Sequence, residues 1–260
     1  MPVGFTLNNL DRMAVLVRRS LYPAAIILDF HKGTRCFTTT ANTAQLETGV
    51  TADNIFSLEN KTRCLKHLNQ VKPVRWLPKH IDPDTLRKSS VLVPFCTVKG
   101  EPSVILTLRS KKLANHSGEV SFPGGLMDDT DRDHIHTALR ETEEELGLSP
   151  DNVDIWGQLI MVPGKDYKIL VAPVIGVCGE IDVNQLRHNE DEVEEVFTRT
   201  IKSLSDPANQ LTKKYPKGFS LPEYLGGPHR IWGLTAIVLH QTLSLIAPGI
   251  YSNSFKIPDS

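Results

Sequence analysis

The length, composition and charge of this chain are those of one ordinary globular domain with extensions. It has 260 residues, 40% of them hydrophobic, and a formal net charge of −1, which gives no reason to expect a nucleic acid or an anionic membrane as a partner. Its four cysteines form no Cys-x-x-Cys pair, which argues against a zinc site and against a secreted disulfide scaffold. No run approaches the roughly 18 consecutive apolar residues of a membrane span.

The first 46 residues differ in composition from the remainder. They contain five arginine and lysine residues but only two acids, Asp11 and Asp29. An amphipathic, arginine-containing, acid-poor leader is typical of a mitochondrial transit peptide, and a disordered extension is the alternative. We therefore predict a transit peptide over residues 1–46.

The rest of the chain divides into three parts. Residues 47–88 predict a helix near positions 57–70, followed by a segment that prolines keep extended. We assign residues 89–248 to the main domain. Residues 249–260 are assigned to a C-terminal tail, which we expect to be loose from Tyr251 onward.

Apolar runs within the main domain predict the strands of a sheet. Two buried strands joined by a tight turn are predicted at residues 90–98 and 102–108. Two further strands are predicted at residues 153–162 and 169–177. The several prolines of residues 202–222 predict a loop.

A helix is predicted over residues 233–246, and it is apolar on most sides, as expected of a core element. Trp232, just before it, is expected to pack there rather than to stack on a nucleotide base. Strands that flank two helices of different character imply an α/β protein, with a mixed sheet between helices.

Residues 118–148 are the most informative stretch, because a glycine turn is followed there by an acid-rich helix. The turn is Phe122-Pro123-Gly124-Gly125, whose glycines allow the backbone to approach a ligand closely. Apolar residues at three- and four-residue steps predict the helix, and Gly147 is a natural end to it. Asp131 or Asp133 can cap its start.

Glu141, Glu144 and Glu145 lie on one face of this helix, within about one turn. Like charges at this spacing repel by roughly 0.2–0.5 kcal/mol per pair, so the helix gains no stability from them. A hard divalent cation, Mg²⁺ or Mn²⁺, would make this cluster of negative charges favourable, because such ions prefer oxygen ligands and negative charge. A solvated acidic surface is the alternative for the run itself, but the neighbouring glycine turn favours a metal site.

Two charged segments flank this stretch in the sequence. Arg109, Lys111 and Lys112 end the second predicted strand, and a basic rim beside a metal site suits a substrate with several phosphates. Residues 190–197 are rich in acid, and Glu192 is a candidate for a supplementary ligand or base. A solvated loop is the alternative for both segments.

Residues 118–148 resemble the Nudix box, in which a glycine is followed at a fixed distance by Arg-Glu-x-x-Glu-Glu-x-Gly. The matching positions are Gly125, Arg140, Glu141, Glu144, Glu145 and Gly147. Residues 106–110 and 118–125 resemble the additional motif of the coenzyme A diphosphatase subfamily. Residues 136–142 and 227–235 are similar to a mitochondrial member of that subfamily.

Three positions depart from the family pattern. Asp131 stands six residues after Gly125, where glutamate is usual, and the loop to Arg140 is one residue longer than the consensus. Thr142 replaces an aliphatic residue of the box. Ala114 replaces an arginine of the subfamily motif.

The resemblance implies a Nudix α/β/α sandwich with a mixed central sheet, including a strand within residues 190–197. It also implies divalent-metal-dependent hydrolysis of the pyrophosphate bond of coenzyme A and acyl-coenzyme A in the mitochondrial matrix. The products would be (acyl-)4′-phosphopantetheine and adenosine 3′,5′-bisphosphate. The alternatives are a Nudix hydrolase of another dinucleotide, such as NADH or ADP-ribose, and a non-catalytic ligand-binding module.

In such a reaction, positioning and charge neutralisation supply most of the catalysis. We expect Glu141 and Glu145 to bind the metal directly, with Glu144 as a third ligand or as the holder of a water molecule. A backbone carbonyl near Gly124 or Gly125 would complete the site.

The base that activates the attacking water is left open between Glu144 and Glu192. Arg140 is expected to pair with Glu144 at i+4 and to fix its direction. The residues expected to contact the substrate are Arg109, Lys111, Lys112, Phe122, Gly124 and Gly125.

Overall fold

A computed structural model describes residues 49–70, 77–78, 80–114, 116–215, 220–253 and 255. The predicted transit peptide lies outside these residues. Within them, no helix combines the length and the apolar character that crossing a membrane requires.

The described residues form four α-helices and ten β-strands. The helices are α1 (Leu58–Leu68), α2 (His134–Leu146), α3 (Ile201–Ser205) and α4 (Gly233–Ile246). The strands are β1 (Arg87–Val98), β2 (Glu101–Arg109), β3 (Val120–Ser121), β4 (Gly124–Leu126), β5 (Asp154–Gln158), β6 (Val162–Pro163), β7 (Ile169–Glu180), β8 (Val193–Thr200), β9 (Gln210–Lys214) and β10 (Ser220–Tyr224). The predictions of the four longest strands and of the helices α1, α2 and α4 are confirmed.

The main sheet is mixed and holds the glycine turn inside it. β1 runs parallel to β7, whereas its pairing with β2 and β4 is antiparallel. β1 and β2 form the predicted hairpin but separate beyond Phe95 and Val104. In the gap between them, β3 pairs with β2 and β4 pairs with β1. The turn that joins β3 to β4 is fixed there, with Leu92 N donating to Pro123 O at 2.9 Å.

Helices cover both faces of this sheet. Successive strand residues point to opposite faces, so Val93 packs on the side of α4 whereas Leu92 packs on the side of α2. Helix α1 lies on the same face of the sheet as α4 and contacts it, since Asn60 Nδ2 donates a hydrogen bond to Ile246 O at 2.8 Å. The fold is the α/β/α sandwich with a mixed central sheet that the sequence resemblance implied.

The segment at 202–222 was predicted to be a loop, and this is wrong. It contains most of α3 and the hairpin of β9 and β10. Pro222 lies opposite Thr212 in a two-stranded sheet, where a strand without a neighbour on its other side tolerates a missing N–H donor. The strand predicted over residues 153–162 is also interrupted, because β5 ends at Gln158 and β6 begins at Val162.

The start of the C-terminal tail is packed rather than loose. Tyr251 is buried, and its hydroxyl forms hydrogen bonds with Tyr224 Oη at 2.6 Å and His240 Nδ1 at 2.8 Å. Phe255 is buried as well. The prediction of a loose tail was based on its position near the chain end. It was wrong for this segment because the side chains of Tyr251 and Phe255 are buried in the fold. The domain boundaries themselves stay predictions.

Candidate active site

Helix α2 brings its glutamates to the glycine turn. Asp133, one of the two candidate caps, accepts a hydrogen bond from His136 N at 2.8 Å, and Gly147 ends the helix with φ +67°. Ala138 and Leu146 are buried, as the apolar pattern predicted. The helix is therefore fixed at both ends and along its apolar stripe.

The two glycines of the turn are required by different neighbours. A Cβ on Gly124, whose φ is +152°, would lie 2.2 Å from Ser90 O, so this residue is pressed against the backbone of β1. A Cβ on Gly125 would lie 2.4 Å from the carboxylate of Glu141. Gly125 therefore makes room for an acid. Ser89 Oγ donates to Gly125 O at 2.7 Å and fixes the direction of that carbonyl.

Glu145 is the buried acid of the helix, with only 3% of its surface exposed. Loss of hydration raises its pKa to about 8, and the nearby charges of Glu192 and Glu141 add to the rise. Arg109 and the N–H of Gly124 act in the opposite direction without cancelling it. Glu145 is therefore not part of a solvated acidic surface, which was the alternative to a metal site.

Glu141 and Glu144 differ from Glu145 in their contact with Arg140. Glu141 is half-buried, and desolvation raises its pKa although Arg140 Nη2 lies 2.9 Å from its carboxylate. Glu144 is exposed and lies 3.2 Å from Arg140 Nη1, which confirms the predicted i+4 pair. The three acids thus share one helix face but have three different environments.

Asp131 holds Arg140 in place, a role that the sequence did not show. Its carboxylate has no exposed surface and accepts hydrogen bonds from Arg140 Nε at 3.0 Å and Nη2 at 2.9 Å. His136 Nδ1 and Asp128 N each lie 2.9 Å from the same carboxylate. The Arg140 guanidinium holds the pKa of Asp131 well below its usual range. The longer loop therefore still delivers an acid to this arginine.

Glu192 lies just before β8, in a segment that backbone hydrogen bonds attach to α2. Asn189 N donates to Glu145 O at 2.9 Å, and Ser110 N donates to Glu192 O at 2.9 Å. The charge of Glu192 raises the pKa of both Glu141 and Glu145, so the three carboxylates are neighbours. The structure brings Glu192 to the predicted site, and its chemical role stays a prediction.

The donor atoms at this place suit a hard divalent cation. Carboxylates and carbonyl oxygens are the ligands that Mg²⁺ and Mn²⁺ prefer. Among the described residues, no three His, Cys, Asp or Glu side chains are already grouped as metal ligands, and Glu141 and Glu144 are turned towards Arg140. The observation that fits a cation is Glu145, a buried acid whose raised pKa shows that Arg109 leaves its charge uncompensated.

A cavity of about 400 Å³ opens beside the glycine turn. The predicted substrate residues that line it are Arg109, Phe122, Gly124 and Gly125. The structure does not bring Lys111 and Lys112 to this cavity. They are exposed and pair with Glu194 at 2.7 Å and with Asp191 at 2.8 Å.

Gly125 and Arg109 connect the cavity with the acids, because Gly125 touches Glu141 and the charge of Arg109 acts on Glu145. Two further residues with nitrogen-bearing side chains, His116 and Lys165, also line the cavity. No sequence pattern connects these two, since they come from separate loops after β2 and after β6.

Comparison with known proteins identifies the family. The NUDIX domain matches residues 86–217. The mitochondrial coenzyme A diphosphatase NUDT8 of Mus musculus is 46% identical over 176 residues, which cover 66% of this chain and 83% of that protein. The protein of the same name from Homo sapiens is 45% identical and covers 63% and 71% of the two chains. Nudix hydrolase 3 of Caenorhabditis elegans is 38% identical over 227 residues, which cover 80% of this chain and 93% of that protein. With the domain match and the box acids placed at one glycine turn, the chain belongs to the Nudix family of pyrophosphohydrolases.

Proposed function

We propose that this enzyme hydrolyses the pyrophosphate bond of coenzyme A and acyl-coenzyme A with the help of Mg²⁺ or Mn²⁺. The products are 4′-phosphopantetheine, or its acyl thioester, and adenosine 3′,5′-bisphosphate. Two relatives named coenzyme A diphosphatase, at 46% and 45% identity, support this choice of substrate.

The observation that carries the proposal is the buried carboxylate of Glu145. A carboxylate that is 3% exposed and lies beside Glu141 and Glu192 destabilises the fold when it is ionised. A bound cation would offset this buried negative charge and would also neutralise charge on the phosphates of the substrate. The arrangement therefore favours catalysis over a non-catalytic ligand-binding module.

The residues of the site have separate tasks in this reaction. Glu141 and Glu145 would hold the cation together with a carbonyl of the glycine turn, and Glu144 would be a third ligand or the holder of a water molecule. When bound, the cation offsets the charge that develops on the phosphate oxygens and lowers the pKa of the attacking water. Arg140, itself fixed by Asp131, keeps Glu141 and Glu144 in place.

Proton transfer and phosphate binding fall to three other candidates. Glu144 or Glu192 would take the proton from the attacking water, since both lie close enough to Glu141 for their charges to raise its pKa. Arg109 would bind a phosphate oxygen, because it lines the cavity and lies near Glu145.

We further propose that the enzyme works in the mitochondrial matrix and that residues 1–46 direct it there. Five basic residues against two acids and the mitochondrial names of the mouse and human relatives support this. A fusion of residues 1–46 to a fluorescent reporter should enter mitochondria. A diffuse cytosolic signal would remove the proposal.

Product analysis tests the substrate. The purified full-length chain is incubated separately with coenzyme A, NADH and ADP-ribose, each with Mg²⁺, with Mn²⁺ or with EDTA, and the products are identified by mass. We expect adenosine 3′,5′-bisphosphate from coenzyme A only when a cation is present. Cleavage of NADH or ADP-ribose without release of this bisphosphate would indicate another dinucleotide, and binding without any product would indicate a non-catalytic module.

A further inference from the structure

The cavity beside the glycine turn has two chemically different linings. Basic side chains line one side, namely Arg109 at the end of β2, Lys165 from the loop after β6, and the imidazole of His116 from the loop after β2. The side chain of His116 also lies 2.9 Å from Glu119, which lines the cavity too. Apolar side chains come from β10 and from the start of α4, namely Leu221, Trp232 and Leu234. One substrate can therefore meet charge and apolar surface in the same cavity.

The apolar lining continues over the sheet and is held firmly. Val91 of β1 and Val171 of β7 add to it from below α4. An antiparallel bridge joins Ile231 to Tyr224 at the end of β10, and Thr235 Oγ1 donates to Val120 O at 2.9 Å. Trp232 stands between these two attachments, so the backbone that carries its half-buried indole is held on both sides.

We propose that the wall formed by Leu221, Trp232 and Leu234 binds the acyl chain of an acyl-coenzyme A, and that Trp232 determines which chain lengths the enzyme prefers. This inference rests on the proposed function and adds to it a specificity-determining surface. It assigns Trp232 a part in substrate choice, whereas the sequence suggested packing alone.

Charge complementarity decides which part of the substrate lies at this wall. The nucleotide half carries several phosphates and needs cations, which Arg109 and Lys165 supply. The acyl chain is uncharged and suits apolar side chains. A nucleotide base would need partners for its polar edge, whereas this wall offers two leucines and an indole whose ring already lies 5.8 Å from the Arg230 guanidinium.

The expected size of the effect follows from the burial of methylene groups. Each buried methylene contributes about 0.8 kcal/mol, which corresponds to about a fourfold change in kcat/KM. Transition-state binding should therefore improve stepwise with chain length until the wall is covered, and then level off.

The test is a chain-length series on the purified full-length enzyme. We would measure kcat/KM for coenzyme A and for its acetyl, butanoyl, hexanoyl and octanoyl thioesters with the wild type, Trp232→Ala, Leu221→Ala and Leu211→Ala. Leu211 is the matched control, because it lies on β9 of the same hairpin, is exposed and does not line the cavity. Melting temperatures show which variants are folded, and Leu221→Ala carries the test if Trp232→Ala is not.

We expect kcat/KM to rise with chain length in the wild type and in Leu211→Ala. In Trp232→Ala and Leu221→Ala the rise should fall to less than about twofold per methylene, with coenzyme A itself affected less than about threefold. An equal loss for every compound, including coenzyme A, would place the nucleotide at Trp232 and overturn the inference. A wild type that cleaves all chain lengths equally would overturn it while leaving the proposed function intact, whereas no cleavage of any coenzyme A compound would defeat both.

Discussion

Asp131 and Arg140 form a two-point contact, in which the buried carboxylate accepts hydrogen bonds from Arg140 Nε at 3.0 Å and Nη2 at 2.9 Å. The same arginine lies 2.9 Å from Glu141 and 3.2 Å from Glu144. The orientation of two acids of the site therefore depends on an aspartate that precedes the arginine by nine residues. We therefore expect that a residue outside the acid cluster affects catalysis.

Asp131→Asn should reduce both stability and activity. The asparagine keeps the size but loses the charge, and a hydrogen bond to a charged group contributes about 1.5–3 kcal/mol to the free energy of unfolding. Arg140 would then be less firmly held, so we expect kcat to fall by roughly tenfold or more. Urea unfolding and steady-state kinetics measure the two effects. Asp129→Asn, an exposed change in the same loop, should alter neither, and a wild-type kcat in Asp131→Asn would contradict the role given to Asp131.

The two glycines of the turn should respond differently to alanine. Gly124→Ala places a Cβ against the Ser90 carbonyl at a positive φ, so we expect a loss of roughly 3 kcal/mol in the free energy of unfolding. Gly125→Ala pushes against the movable carboxylate of Glu141, so the fold should survive while kcat falls by roughly 100-fold.

Thermal unfolding and kinetics separate these outcomes. Gly100→Ala is the control for a positive φ alone, because nothing lies within 4 Å of its added Cβ. It should cost about 1 kcal/mol and leave kcat unchanged. Full activity in Gly125→Ala would mean that the position of Glu141 is not needed.

Glu145→Gln should change how stability depends on pH in EDTA. The pKa of Glu145 is raised from its ordinary 4.5 to about 8, so its contribution to stability is complete below pH 4.5 and is lost as the pH rises through 8. The stability of the variant relative to the wild type should therefore be constant below pH 4.5 and increase between pH 4.5 and 8. Urea unfolding across this range measures the difference, and Glu143→Gln, an exposed change on the same helix, should give a flat one. A flat difference for Glu145→Gln would show that its charge is compensated.

The basic residues at and just after the end of β2 should separate into two groups. Lys111 and Lys112 are exposed and pair with acids outside the cavity, so their alanine variants should leave kcat/KM and the melting temperature essentially unchanged. Arg109 lines the cavity, and Arg109→Ala should lower kcat/KM for coenzyme A by roughly 30-fold. Equal losses in all three variants would restore the phosphate-binding role predicted for the lysines.

The sequence predicted those features that neighbouring residues determine. The helix Gly233–Ile246 and the shared face of Glu141 and Glu145 follow from helical periodicity, and β1 and β2 follow from apolar runs. The β9–β10 hairpin was missed because Pro222 indicates a loop when the strand's edge position is unknown.

Contacts between distant residues could not be predicted from local patterns. Ser89 meets the Gly125 carbonyl across 36 positions, and Lys111 meets Glu194 across 83. Sequence placed Lys111 near the site by its position in the chain, but three-dimensional packing gave it an acidic partner elsewhere. The departure at Asp131 was visible, and only its contact with Arg140 showed that the longer loop preserves an ion pair.

That Glu141 and Glu145 capture a divalent cation beside the glycine turn is tested most directly by isothermal titration of Mn²⁺ into the purified full-length protein. We expect saturable binding by the wild type and by Glu143→Gln, and at least a roughly tenfold weaker affinity in Glu141→Gln and in Glu145→Gln. Unchanged binding in the last two variants, or no uptake of Mn²⁺ or Mg²⁺ by the wild type, would contradict the metal site on which the proposed chemistry depends.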